Sequence, residues 1–378
     1  MVFSRRKTWS QEAVAVERRL SGAVETGFLT IEKRGMLLLA LKTAAAAGLC
    51  YGLARLAGLQ DGYWGSISAI IVLQSNVGST VTASRDRLIG TLIGAGFGAV
   101  FSLLGEGIWI YLAAVVTAMV ACGLLELKNS SRLAAVTVTI LLLVHRTGSG
   151  FWSNWTLPAH RVIEVLLGIV VALGMSTLVL PDRAKVRLRD GLAQQFLMLG
   201  AVFDAVMKGF RGAPADHLAK LWKDVDASVE SNGLLLAAAR NEPSGGPASL
   251  EALSILHQFG NELTDGLRAL DLASKRRTEA DDYAGHLDPE LGQFAADIQR
   301  GFQYVAECAH RWNFGLAPGN LSLEDDISAL EAKMASVRPK AIKFPQEEIF
   351  RVYAVQLHLK QLARLLKAAT VETGKAAG

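Results

Sequence analysis

Residues 36–180 carry 13 Asp, Glu, Lys or Arg side chains in 145 residues, whereas the other 233 residues carry 61. A stretch about 9% charged joined to one about 26% charged cannot be a single water-soluble domain; it predicts a membrane region followed by a soluble one. The low-charge stretch divides into apolar segments at 36–57, 63–81, 88–104, 108–125, 133–144 and 158–180. A helical span takes roughly 20 residues at 1.5 Å each, so five segments are long enough, and the fifth needs its flanks, residues 128–132 and His145.

Arg5, Arg6, Lys7, Arg18, Arg19, Lys33 and Arg34 precede the first segment, and Arg183, Lys185, Arg187 and Arg189 follow the last. Positive charge favours the inner side, so both termini are expected in the cytoplasm. An even span number follows, with Arg85 and Arg87, then Lys128 and Arg132, in inner turns. Trp64, Trp109, Trp152 and Trp155, with Tyr63 and Tyr111, then fall at the outer ends, where an interfacial aromatic belt belongs. The Arg- and Glu-rich 35 residues before the first segment do not have the form of a cleaved signal. Within them Val16, Leu20, Val24 and Ile31 share a helical face, which suits either an interfacial helix or docking on the soluble domain.

Small residues recur every fourth position: Gly90, Gly94, Gly98 and Ser102; Gly168, Ala172 and Ser176; Ala44, Gly48 and Gly52. Such stripes let helix backbones approach in lipid, so Gly90, Gly94, Gly98 and Gly168 are expected to pack helices, and one stripe could join two protomers. After Pro181 the pattern changes to amphipathic helices over 184–210, 216–240, 249–274, 288–311, 324–337 and 346–369. The fold class is all-α, a six-span transmembrane helical bundle followed by a cytoplasmic helical domain. The expected divisions are 1–35, a cytoplasmic amphipathic segment; 36–181, the membrane domain; and 182–378, the cytoplasmic domain.

The net charge of +4 is spread along the chain, so no nucleic-acid partner is expected. Cys50, Cys122 and Cys308 have no paired spacing and imply neither a disulfide framework nor a zinc site. Gly94, Gly96 and Ala99 match the GxGxxA form of a dinucleotide fingerprint, but inside an apolar span with no preceding strand. Asn154, Trp155 and Thr156 form a glycosylation sequon in an expected outer loop. Glu307, Cys308 and His310 cluster in the soluble half, yet Glu307 has Arg311 four residues on, which reads as an ion pair rather than a metal site. No hydrolase, metalloprotease or nucleotide-binding motif occurs, so no enzyme activity, cofactor or metal is expected.

The ionisable side chains inside the apolar segments are the informative ones, because a charge at the centre of a span costs roughly 2.5–3.5 kcal/mol unless it finds water or a partner. Arg55, His145 and His160 lie near outer ends and suit the interface. Lys42 lies about two turns inside the inner boundary. Arg161 and Glu164, three apart, either neutralise each other locally or face an aqueous path.

Lys42 in an Ala-rich first segment, Tyr63-Trp64, Ile71 to Gln74 running into Val77 to Thr80, Arg85-x-Arg87, Gly90-Thr91-x-x-Gly94, Arg161-x-x-Glu164-x-x-x-Gly168 and Leu180-Pro181 resemble the fusaric acid resistance and aromatic acid exporter family. The resemblance covers residues 36–181. It implies a transporter with a six-helix membrane unit and a helical cytoplasmic domain, a layout similar to that of plant malate channels. Long exporters of the family carry two such units and this chain one, which implies a homodimer in the lipid bilayer of the cell inner membrane. The expected activity is export of organic, in particular aromatic, carboxylates, with a passive anion channel or a membrane-anchored scaffold or sensor as alternatives. On that reading Lys42, Arg85, Arg87 and Arg161 attract the small organic anion, Trp64 stacks on its ring, Gln74 lines the path, and Glu164 or His145 is available for proton coupling.

Overall fold

The computed structural model describes residues 36–59, 61–105, 107–144, 153–179, 181–212, 217–242, 249–275, 283–314 and 323–377. All regular structure among them is helical. Contacts divide the chain into two units, one ending at Asp182 and the other beginning at Arg183. The expected segment over 10–31 and the residues around His145 and Trp152 lie outside the described residues.

The first unit contains α1 (Met36–Leu56), α2 (Tyr63–Val72), α3 (Val77–Ser102), α4 (Ile108–Leu124), α5 (Lys128–Thr139), continued as a π-helical turn over Ile140–Val144, and α6 (Ser153–Leu178). Among the described residues, only α1 and the Pro158–Leu178 part of α6 are both long and apolar enough to cross a membrane by length and composition. The helices α2 and α4 are apolar but shorter, and α3, at 26 residues, carries Arg85, Asp86 and Arg87.

Two expected segments are redrawn. The segment over 63–81 is not one helix, because α2 stops after ten residues and Leu73 turns to extended backbone. Asn76, also extended, then caps α3 by accepting a hydrogen bond from Ser79 N at 2.8 Å. Val77 N donates to Asp182 O at 3.1 Å, which ties the start of α3 to the far end of α6. Arg85 and Arg87 therefore sit within α3 rather than in an inner turn, since the Asn76 cap starts the helix a full two turns earlier. The sequon at Asn154 likewise falls in the first turn of α6 instead of a loop.

Close contacts set the helix directions. Ser66 Oγ donates to Ala47 O at 3.0 Å, and Gly65 lies against Cys50 Sγ and the Glu164 carbonyl. Thus α2 runs antiparallel to α1 and parallel to α6. Gly90 faces Ser130 and Leu133, Gly94 faces Ala134 and Thr137, and Gly98 faces Leu141, so α3 and α5 run parallel with backbones nearly touching. Tyr111, early in α4, meets Thr139, late in α5, with the hydroxyls 3.3 Å apart, which makes that pair antiparallel. Ser176 Oγ approaches Thr80 Oγ1 at 3.3 Å, so α6 descends where α3 rises. Direction alternates along all six helices.

The interior of this unit is rich in small side chains, Ala46, Cys50, Ala69 and Ala172 on one side of α3 and Ala114, Ala118, Cys122 and Ala134 on the other, packed with Val72, Val165, Ile169 and Leu142. Many of its large apolar side chains point outward, among them Leu56, Leu92, Trp109, Val116, Leu124, Val170 and Leu178. Small inside and large outside is the arrangement of a bundle solvated by lipid, where close backbone packing rather than water exclusion holds helices together.

The second unit has the opposite pattern. Its helices α7 (Ala184–Phe210), α8 (Leu218–Arg240), α9 (Leu250–Ser274), α10 (Glu290–Arg311), α11 (Leu323–Val337) and α12 (Gln346–Ala377) bury Phe196, Phe203, Phe210, Phe294 and Phe302 with a dense set of leucines. Burying each such side chain contributes about 1.5–3 kcal/mol, so this core forms by excluding water. The bounds fall within two residues of the expected ones, except that α12 continues to Ala377. Arg351 and Glu348 form a buried bidentate pair at 2.6 and 2.7 Å. Arg351 also donates to the carbonyls of Phe210 and Ser274 at 3.5 and 3.4 Å, closing the C-terminal ends of α7 and α9. Glu307 pairs with Arg311 at 2.7 Å, His310 lies 3.5 Å from Asp190, and Cys308 is buried.

Candidate functional site

A stripe of polar side chains runs along the buried side of α3. Thr80, Ser84, Arg87 and Thr91 stand at intervals of three and four, the spacing of one helical face, and all four are buried. At its lower end the stripe meets Ser176 of α6. Two turns higher, Arg87 Nη2 donates to Ser68 Oγ of α2 at 3.3 Å.

Ser68 stands where α2 and α6 approach most closely, because Gly168 leaves room for it; a Cβ there would lie 2.8 Å from Ser68 Cβ and 3.0 Å from Ala69 N. One turn earlier on α6 is Glu164, and three residues before that Arg161, whose Nη1 donates to Glu164 Oε2 at 3.1 Å. The Arg161 guanidinium also lies over the Trp64 ring, 4.1 Å from its centroid, a cation–π contact. Arg87, Arg161 and Glu164 are 2%, 5% and 4% exposed. The Arg87 and Arg161 charges are close enough to act on each other, and the Asp61 carboxylate, just before α2, acts on both Arg161 and Glu164.

The fold thus gathers buried Arg87, Arg161 and Glu164 with half-buried Trp64 into one cluster. It leaves Gln74 and Arg85 exposed, with Gln74 Nε2 donating to Ile71 O at 3.1 Å. Lys42 is half-buried on α1, one turn from Ala46 on the face toward α2. Arg85 and Arg87 part because two residues on a helix point about 200° apart. Trp64 carries the Arg161 guanidinium on its ring face, where a substrate ring was expected. Ser68 was missed: a lone serine in an apolar segment reads as packing, and its role appears only when α3 brings Arg87 to it. Gly90, Gly94, Gly98 and Gly168 all sit at tight helix contacts, but Gly48 and Gly52 face open space.

Two guanidinium groups and one carboxylate lie buried together in a helical unit that exposes many large apolar side chains. Residues 49–175, about a third of the chain and including this whole cluster, match the family described as fusaric acid resistance protein-like. The chain is also similar to the inner membrane protein YccS of Escherichia coli strain K12, 25% identical over 278 residues that cover 70% of this chain and 38% of that protein. It therefore aligns with little more than a third of that relative's length.

Proposed function

We propose that the chain is an efflux-type transporter of the cell inner membrane that moves small organic anions, aromatic carboxylates among them, out of the cytoplasm. The observation that carries this reading is the burial of Arg87 and Arg161 in the apolar unit. A charge in lipid is costly unless it finds a partner, an anion or water, and while Glu164 pairs with Arg161, the side-chain partner of Arg87 among the described residues is the neutral Ser68. Similarity to YccS supports the inner membrane as the location.

Six passes with both termini inside are supported by the alternating helix directions and by Val77 meeting Asp182, which brings the inner end of the third pass beside the inner end of the sixth. On this reading the second pass is α2, about 15 Å of helix, completed by residues 73–76. A homodimer is supported by the outward face of α1, where Ala44, Gly48 and Gly52 are exposed and nothing lies within 4 Å of a Cβ at either glycine. The driving force is electrical, since a negative interior favours exit of an anion by about 2.3 kcal/mol per charge per 100 mV.

Efflux of labelled benzoate from preloaded cells, normalised to inserted protein, tests the proposal. Arg161→Ala should slow it markedly, and an unchanged rate would remove the cluster from the path. Among the described residues Arg87 has no carboxylate bonded to it, a feature that also suits a passive anion channel, and single-channel currents in planar bilayers would separate the two mechanisms.

A further inference from the structure

The buried cluster is unbalanced in one direction. Trp64 Nε1, Arg87 Nε and Arg161 Nε are buried N–H donors with no acceptor among the described residues. All three are donors, so the chemistry that completes them is an acceptor, and two guanidinium groups select an anionic one. Glu164 uses a single oxygen on a single guanidinium nitrogen. Among the described residues the Nε edge of Arg161 is left over, and the side-chain partner of Arg87 is the neutral Ser68.

We infer that the free edges of Arg87 and Arg161, with the Trp64 indole N–H, bind the carboxylate head of the transported anion, and that Glu164, bonded to the same Arg161, competes with it and shortens its stay. This rests on the transport reading above. A passage site must attract an ion strongly enough to admit it and weakly enough to release it. Two buried guanidinium groups without a nearby carboxylate would hold an anion too long. Glu164 is placed to prevent this: it is bonded to the same Arg161, and its backbone is clamped against Gly65 of α2. Because Arg161 covers the Trp64 ring, the site reads the carboxylate and not the ring.

The test is equilibrium binding of labelled benzoate to the purified full chain in nanodiscs, with efflux measured in parallel. Wild type should bind benzoate, cyclohexanecarboxylate should compete, and the neutral isostere benzamide should not. Arg87→Gln should abolish binding and Arg87→Lys retain part of it. Glu164→Gln should bind at least about tenfold more tightly, the effect of removing one charge a few ångströms away in a partly screened site, and release more slowly. A gain of affinity cannot come from misfolding.

No benzoate binding in wild type, unchanged binding in Arg87→Gln, or equal or weaker binding in Glu164→Gln would each overturn the proposal. Binding with these dependences but no flux would overturn the transport reading and leave the site. Flux indifferent to Arg87 and Glu164 would do the reverse.

Discussion

Gly168→Ala is a change of one methyl group whose effect follows from the contact between α2 and α6. The added Cβ would meet the Gly65 carbonyl oxygen first, with Ser68 Cβ at 2.8 Å and Ala69 N at 3.0 Å. Nonbonded heavy atoms rest at about 3.5–4.0 Å, and two of these three neighbours are backbone, so no side chain can turn away. The helices must separate by roughly 1 Å. Overpacking of this kind destabilises by about 1–3 kcal/mol, a fall in Tm of roughly 3–10 °C for a unit of this size. The separation would also stretch the 3.3 Å Arg87–Ser68 bond beyond hydrogen-bonding range, so benzoate binding should fall with it. Gly174→Ala on the same helix is the control, because nothing lies within 4 Å of its Cβ. Thermal unfolding of the full chain in detergent reads both variants. Equal Tm values for the two would refute the close α2–α6 contact.

Other outcomes follow from the same structure. Glu348→Ala leaves Arg351 buried and uncompensated and should destabilise the second unit by about 3–5 kcal/mol, whereas Glu348→Leu with Arg351→Met should cost much less, measured by denaturant titration. Burial, then the Arg240 charge, pushes His257 below its ordinary 6.5, and burial does the same to His358. A base whose folded-state pKa is depressed contributes stability that is complete above about pH 6.5 and lost as pH falls toward the folded value. Hydrogen-exchange protection in α9 and α12, relative to the intrinsic rate at each pH, should therefore fall below about pH 6.5, and His257→Gln should reduce that response. Reporter fusions at Gly105 and Glu126 should read outside and inside respectively, and the opposite pair of signals would invert the proposed topology.

Much of this was legible in the sequence because it rests on periodicity and charge. The amphipathic helices of the second unit were placed within a couple of residues, apart from the end of α12, by their apolar faces and by breaks such as Asn241 to Pro247. The interruption at 73–76 was not, because an apolar run suggests one continuous span even when a Gln-Ser-Asn sequence stands inside it. The signal was present in Asn76 and Ser79, a capping pair. Once α3 is started at Val77, helical geometry alone separates Arg85 from Arg87. The contact of Arg87 with Ser68 and the stacking of Arg161 on Trp64 were beyond sequence reasoning, since each joins side chains on different helices whose approach is fixed by Gly168 and its neighbours.

Proteoliposomes holding the purified chain and preloaded with labelled benzoate, with an imposed potassium-diffusion potential, test the central claim most directly. Wild-type vesicles should release benzoate faster than protein-free ones, faster with a negative interior than at zero potential, and no faster than protein-free vesicles when Arg161→Ala replaces wild type. Release that ignores both the potential and Arg161 would contradict an anion passing through this site.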